Sequence, residues 1–550
     1  MKIKSLILAL ILVLCAVLPS CSSGIASDNY TVQNLTSSDY TYIADSLGAN
    51  YLLANSSEEI SLEGKNIIIC VAYDNDPFDM SGFNDDGYII RRIDDDILIC
   101  GKTENATKSA VSYFKGQYVS TNGNLVYADE LNYVHGSADR LGKVTLNGVG
   151  IENYTVVIPH NPTAFEEHAA QILQDYLYDA GGITIMVSDD LSAEKTHEIV
   201  IGDTSRKETP ENREYGDMEY YLGVKNGDIV IDGLSYMVGG GIGKLIADYL
   251  SPEDGGDVAL DGIGDGGIYT YEPREAKSVI LMIGDGMGYN HIKYAEYLAY
   301  IDEFYAYKLP VLGSSVTYSY SGTTDSAASA TAMTCGYKTV NGYVGMDKNG
   351  NVMENVRELA DSIGGRTAIV TTDSISGATP AGFMAHTLSR GDTAGIQSWY
   401  EKTNIEYVRG YVDWNLFYDT YNAISYIGES GDPFFIMIEE AYTDKGGHSN
   451  DEDVVGEAVE RFNETIAYAM EYAVCHTDTV LIITADHETG GIKERRGKYY
   501  FTSKGHTNAD VPLFAIGYGT EQFNGKRNEN ISIATFIASI FGDDSFGNLG

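Results

Sequence analysis

The chain has 550 residues, 79 acidic and 36 basic, giving a formal charge of −43, with 43% hydrophobic and 21% charged residues. That length and apolar content exclude a disordered chain and provide for roughly two to four domains with buried cores. The acidic surplus excludes general nucleic-acid binding, which needs Lys and Arg to displace counterions; it also means that any anion site must carry its own local positive charge.

Residues 1–21 read MKIKSLILALILVLCAVLPSC. Lys2 and Lys4 precede a short apolar run, Ser5–Leu18, too short for the roughly 20 residues that span a bilayer, so it reads as an export signal. Leu18-Pro19-Ser20-Cys21 resembles the bacterial lipobox, which implies a lipid on Cys21 and an extracytoplasmic, membrane-anchored protein; an ordinary cleaved signal with an incidental Cys is the alternative. The Ser/Asn/Thr-rich stretch 22–40 is expected to be a flexible stalk.

Two stretches before residue 275 resemble each other. Residues 66–118 contain NIIICV, GYIIRRIDDDILICGKT and SAVSYFKGQYV; residues 198–250 contain EIVIGD, YYLGVKNGDIVIDGLS and GGIGKLIADYL. Both read strand, loop, strand, tight turn, strand, helix, and FEEHAAQILQDYLYDAG adds a helix before the second. The expectation is two related α+β accessory domains, 41–140 and 145–252. The second resembles the small domain that precedes the catalytic domain in some glycoside hydrolases, a likeness that carries no site; carbohydrate or protein contact is a role open to the pair. Cys70 and Cys100 sit in apolar strands and could form a disulfide or stay as buried free thiols. Cys335 and Cys475 read as core residues. The Gly- and Asp-rich segment 253–275 reads as a linker, solvated or Ca²⁺-binding.

After 275, apolar runs alternate with helical stretches: SVILMIG, RTAIVTT, PFFIMIE, TVLIIT and PLFAIGYG. This predicts a three-layer α/β/α sandwich with a mostly parallel sheet over 276–545, and functional groups beyond the carboxyl ends of its strands. Asp285 ends the first run; Glu439 and Asp444 follow PFFIMI, with His448 four residues after Asp444; Asp486 and His487 follow TVLIIT; His506 precedes the last strand. Mixed His and carboxylate ligands suit Zn²⁺, and an all-oxygen subset suits Mg²⁺. Each residue alone has a structural alternative, a helix cap or a packed histidine; convergence from separate strand ends does not. Ser326, in TTDSAASATAMTCG, opens an Ala-rich helix whose amide end favours an anion.

DGMG, TDSAASATA, ATPAGFMAHTLSR, E-x4-D-x3-H, TADHETGG and a late His-Thr occur in that order. Over about 275–540 the chain resembles the alkaline phosphatase family, metal-dependent phosphomonoesterases. Position by position, the resemblance implies one Zn²⁺ on Asp444, His448 and His506, a second on Asp285, Asp486 and His487 with the Ser326 oxygen, and Mg²⁺ on Asp285, Thr379 and Glu439. It implies Ser326 as the nucleophile that becomes phosphoserine, Arg390 as a fork for two phosphoryl oxygens, and phosphate monoesters as substrates. Lys445 either reaches phosphate through water or is simply solvated.

Asp285, Glu439, Asp444 and Asp486 against Arg390 leave the empty site at −3; three divalent cations reverse the sign. The chain departs from the family in two places. Gly377 stands where a side chain near the Mg²⁺ site is usual. Only 48 residues separate Arg390 from Glu439, so the interface and mouth elements of longer relatives are absent and the oligomeric state is open. The aromatic stretch 399–421 is left to line the mouth or fill the core. TDSAASATA is not the C/S-x-P-x-R context of sulfatases, and typical phosphodiesterases of the superfamily lack counterparts of Glu439 and Arg390.

Overall fold

The computed structural model describes 141–547, apart from 210–213, 252–255, 404, 413–415 and 429–431, and, before 141, segments 30–35, 50–53, 65–71, 83–93, 96–104 and 132–137 with parts of 106–114. The export signal and Cys21 lie outside the described residues. Among those described, no helix is long and apolar enough to cross a membrane.

The first sheet is built from β1 (Tyr30–Asn34), β2 (Asn50–Leu53), β3 (Lys65–Val71), β4 (Phe83–Ile93), β5 (Asp96–Gly101) and β6 (Asn132–Ser137), in the order β2-β1-β3-β5-β4-β6. The expected stalk over 22–40 is therefore corrected: β1 lies within it, hydrogen-bonded to β2 on one side and β3 on the other. Its polar composition hid a strand whose Val32, Gln33 and Asn34 are buried. Cys70 and Cys100 are register partners on the parallel strands β3 and β5, and both are free thiols, as are the buried Cys335 and Cys475.

Next come β7 (Leu141–Leu146) and β8 (Val149–Gly150), then β9 (Thr155–Ile158), β10 (Met186–Asp189), β11 (Glu198–Ile201), β12 (Glu219–Lys225), β13 (Asp228–Gly233), β14 (Gly256–Ala259) and β15 (Gly267–Thr270). The second sheet runs β10-β9-β11-β13-β12-β15. Strand for strand this is the order of the first sheet, and the directions match too: the first three contacts are parallel and the two that involve β12, like those of β4, are antiparallel. From Gly256 onward, the expected linker 253–275 is not free chain. β14 pairs with β7, and β15 forms the edge of the second sheet against β12; short Gly- and Asp-containing strands are recognised by their partners, not by composition.

The third sheet has β16 (Ser278–Gly284), β17 (Val311–Val316), β18 (Arg366–Thr371), β19 (Tyr407–Arg409), β20 (Phe434–Glu440) and β21 (Thr479–Thr484). After the small strands β22 (Glu488–Thr489), β23 (Lys493–Arg495), β24 (Lys498–Tyr500) and β25 (His506–Thr507), it is completed by β26 (Val511–Ile516) and β27 (Arg527–Glu529). The order is β19-β18-β20-β16-β21-β26-β17-β27, with only β26 running against its neighbours. Central strands buried on both faces explain the unbroken apolar runs. Val279, Leu281 and Ile283 face a core with helices Ser326–Cys335, Val356–Ser362, Ala378–Met384 and Ile531–Ile540. Ile280 and Met282 face the opposite core and the long helix Glu452–Cys475.

That second core continues into the preceding domain, whose helices Ala164–Gly181 and Val238–Tyr249 pack on Glu452–Cys475. The His168 ring stacks on Phe417 at 5.0 Å and meets Tyr468 edge-on at 5.4 Å. Tyr421 donates to Asp175 at 2.7 Å. Most of the aromatic stretch 399–421 thus packs, Trp399 against His386 and Phe417 against His168, while Tyr411 and Tyr418 are exposed. Burial pulls the His168 pKa down from 6.5 to about 4. Between those values the unfolded chain takes a proton that the folded chain refuses, so stability falls as pH falls, by about 1.4 kcal/mol per unit. His168→Leu is expected to flatten this part of the profile in thermal unfolding between pH 7 and pH 4; an unchanged slope would show that the ring is not buried at this contact.

Candidate active site

The carboxyl ends of β16, β18, β20 and β21 deliver Asp285, the 372–379 segment, Glu439 with Asp444, and Asp486 with His487 to one edge of the sheet. His506 comes from the opposite chain direction. Because β26 is reversed, the residues before its start lie at the same edge, and β25 is pinned there by pairing with β22, Thr489 opposite His506. Ser326 is the first residue of its fully buried helix, capped by Asp325, which accepts from Ala328 N at 3.0 Å.

Asp444, His448 and His506 form one cluster. His448 Nε2 and His506 Nε2 lie 3.1 Å apart, at 3.4 and 3.6 Å from the two Asp444 carboxylate oxygens. The Nδ1 atoms are occupied: that of His448 donates to Lys504 O at 2.6 Å and that of His506 to Thr324 O at 2.8 Å. These tautomers aim two bare lone pairs at one point beside a carboxylate, an arrangement that requires a proton or a cation between them.

Asp285, Asp486 and His487 form the second cluster. His487 Nε2 is 3.1 Å from Asp486 Oδ2, 3.7 Å from Asp285 Oδ1 and 3.2 Å from Ser326 Oγ. Its Nδ1 lies 3.2 Å from Thr489 Oγ1, which itself donates to Asp444 Oδ1 at 2.5 Å. Thr489 thereby fixes the His487 tautomer and ties the two clusters, whose His487 and His506 rings stack at 3.6 Å. Asp486 Oδ1 accepts from the amides of Gly286 and His487 at 3.0 and 2.8 Å, but Asp486 Oδ2 and Asp285 Oδ1 are buried without a hydrogen-bond partner. Gly286 has φ +72°, and a Cβ there would lie 2.7 Å from the Asp444 Cα, so the glycine of DGMG permits this approach.

The third group is oxygen-only. Thr379 Oγ1 lies 3.5 Å from Asp285 Oδ2, and the Glu439 carboxylate accepts from Thr371 Oγ1. Burial and neighbouring carboxylates push the Asp285 pKa well up, burial raises that of Asp486, and burial foremost lifts Glu439 to about 8. Burial drives His487 down to about 3, with the neighbouring His506 acting in the same direction.

All eight proposed ligands and Ser326 meet at this edge. Arg390, 43% exposed, has its Nη1 3.3 Å from Asp325 Oδ2. Lys445 Nζ lies 2.9 Å from Asp373 Oδ1. Sequence reasoning missed Asp325, Asp373, Thr371 and Thr489. Asp325 was legible as the cap next to Ser326; the others carry no spacing signal. With Asp325 and Asp373 included, six carboxylates face two cations, Arg390 and Lys445, so with every carboxylate ionised the formal charge of the site without metal is −4.

Residues 276–408 and 412–504 match the family model described as alkaline phosphatase. Alkaline phosphatase 3 of Bacillus subtilis is 30% identical, over 40% of this chain and 62% of its own length. Alkaline phosphatase H of Pseudomonas aeruginosa is 42% identical, over 21% of this chain and 27% of its own. The chain thus spans less than two thirds of the length of these curated relatives. The solved alkaline phosphatase from the Antarctic bacterium TAB5 is 25% identical and covers 49% of this chain and 99% of its own, with a TM-score of 0.46. Through residues 276–504, the chain is similar to the alkaline phosphatase family, whose model it matches there.

Proposed function

We propose that the chain hydrolyses phosphate monoesters outside the cytoplasm, through a phosphoserine at Ser326, and that a lipid on Cys21 anchors it to the membrane. One observation carries this reading: the Ser326 hydroxyl lies 3.2 Å from His487 Nε2, at the amide end of a helix and beside two His/carboxylate clusters. The donor sets fit divalent cations, because bare imidazole nitrogens converge on carboxylates and two buried carboxylate oxygens lack any other partner. Zn²⁺ suits Asp444, His448 and His506, and also Asp285, Asp486 and His487; Mg²⁺ suits Asp285, Thr379 and Glu439. When bound, such ions lower the pKa of a coordinated hydroxyl or water and neutralise phosphoryl charge.

The chain's own groups do the rest. Arg390 turns from Asp325 to grip two phosphoryl oxygens, and the helix amides face a third. Ser326 Oγ attacks phosphorus; the Oγ–P bond forms, the P–O bond to the alcohol breaks, and the alcohol leaves with a proton. Water then attacks the phosphoserine from the vacated side, phosphate departs and Ser326 recovers its proton. Arg390 and three donor sets able to hold divalent cations suit a dianionic monoester better than a monoanionic diester.

The test is turnover of 4-nitrophenyl phosphate against bis(4-nitrophenyl) phosphate. The monoester is expected to be preferred, and Ser326→Ala to lose at least about a thousandfold in kcat/KM. A preference for the diester would reject the monoesterase assignment. Absence of turnover with either substrate by metal-loaded protein would leave the chain a surface binding protein, with the paired N-terminal sheets as its contact modules.

A further inference from the structure

Position 377 is glycine, two residues before Thr379, and the space a side chain would occupy there is already filled. A Cβ on Gly377 would lie 2.5 Å from Asp373 Oδ2 and 2.9 Å from Ser374 O. Asp373 enters this space from the loop after β18. Its amide donates to Thr371 Oγ1 at 2.8 Å, and its carbonyl accepts from the Tyr411 amide at 2.7 Å, Tyr411 being held at φ +56°. So fixed, the carboxylate pairs with Lys445 Nζ at 2.9 Å and lies close enough to Glu439 to oppose its ionisation. Lys445 follows Asp444 directly, and its ammonium also sits over the Tyr442 ring at 4.2 Å. A lysine one residue from a candidate metal ligand is thus turned onto an aspartate and an aromatic face.

We propose that Asp373 is a positioning residue: it holds Lys445 off the phosphoryl group and lowers the positive charge that phosphate meets, so that product is released. This rests on the reading that phosphate binds beside Ser326. Six carboxylates, two cationic side chains and three divalent cations sum to +2, and loss of Asp373 would raise that to +3. A dianion would then be held longer, and the ammonium would be free to bind it. Gly377 is the complement of this arrangement, since a side chain there would collide with the carboxylate.

The test titrates inorganic phosphate into the metal-loaded mature protein by calorimetry, beside KM and kcat for 4-nitrophenyl phosphate. Asp373→Asn is expected to tighten phosphate binding by about five- to tenfold, because one negative charge leaves the site and the Lys445 ammonium is freed. In a Lys445→Gln background the same substitution should tighten binding by clearly less, since the charge change remains but no ammonium is freed to bind the dianion. Gly377→Asp alone should lower the thermal midpoint through the collision. Combined with Asp373→Ser, which removes the nearer obstacle and leaves the Ser374 carbonyl oxygen at 2.9 Å, it should regain part of the lost thermal midpoint and bring the phosphate Kd back toward the wild-type value, a rescue that loss of folding cannot mimic. Unchanged phosphate affinity in Asp373→Asn, or an equal effect with and without Lys445, overturns the assignment of Asp373 while wild-type turnover upholds the proposed function. Wild-type protein that neither binds phosphate nor hydrolyses the monoester overturns both.

Discussion

Protein stripped of divalent cations is expected to lose both hydrolysis of 4-nitrophenyl phosphate and measurable binding of inorganic phosphate, and to recover them when Zn²⁺ and Mg²⁺ are restored. The cause is electrostatic. Six carboxylates against Arg390 and Lys445 leave the metal-free site negative, and a dianion entering a mostly buried pocket is repelled without the screening that water gives at the surface. The same site is internally strained without cations: Asp285 Oδ1 and Asp486 Oδ2 are buried without partners, and the His448 and His506 lone pairs oppose each other at 3.1 Å. Metal-free protein relieves this by holding protons, which is why burial raises Asp285 and Asp486 and lifts Glu439 to about 8. Cation binding must therefore expel protons, and apparent metal affinity should rise with pH up to about 8. Binding also stabilises the fold, by about 4 kcal/mol at a free concentration a thousand times Kd. Calorimetry at two pH values, thermal unfolding and elemental analysis of one sample check all three. Tight phosphate binding by protein shown to be metal-free would contradict the electrostatic account.

The parts of this site that were legible in the sequence are those fixed by local order. An Asp directly after an apolar strand, a DxxxH pair and a serine opening an Ala-rich helix are positioned by one element each, so Asp285, Asp444, His448 and Ser326 could be named from spacing. His506 could be named too, but its reach to the carboxyl edge depends on the reversal of β26, which no run of residues announces. Asp373 was invisible for the same reason: its meaning lies in Lys445, on another strand's exit, and in the empty side of Gly377. In the fold, alternation and turn chemistry expose the repeated β3–β5 and β11–β13 units, yet by composition β1, β14 and β15 read as stalk and linker. Those strands are short and rich in polar residues or glycine, and what holds them is the ladder of their neighbours, information that composition does not contain.

Gly243→Val is expected to cost about 3 kcal/mol of stability and to loosen the second accessory domain from the catalytic domain. The helix Val238–Tyr249 carries glycine at 239, 240, 241 and 243, and each faces a different obstacle. A Cβ would meet the Glu471 carboxylate at 2.1 Å from position 239, the Tyr220 ring at 2.6 Å from 240, Ile231 at 2.4 Å from 241 and the Cys475 carbonyl oxygen at 2.3 Å from 243. Side chains at the first three positions can rotate aside, but the last obstacle is main chain at the end of helix Glu452–Cys475, so the two helices must separate. Alanine-type gains in helix propensity, about 1 kcal/mol per glycine replaced, do not offset a collision of this kind. The consequence reaches the site, because the same long helix carries Arg461, whose guanidinium grips Glu440 at 2.7 and 3.0 Å beside Glu439. Thermal unfolding should show a lower midpoint for Gly243→Val, and limited proteolysis should cut between the domains, near 252–275. Gly267→Ala, where a Cβ meets nothing within 4 Å, is the control. Equal stability of the two variants would mean that the helices do not touch in solution and that the accessory domains swing free of the catalytic one. A loss confined to Gly243→Val would instead make the second of them a fixed neighbour of the third sheet, braced against the helix that supports its candidate metal-binding edge.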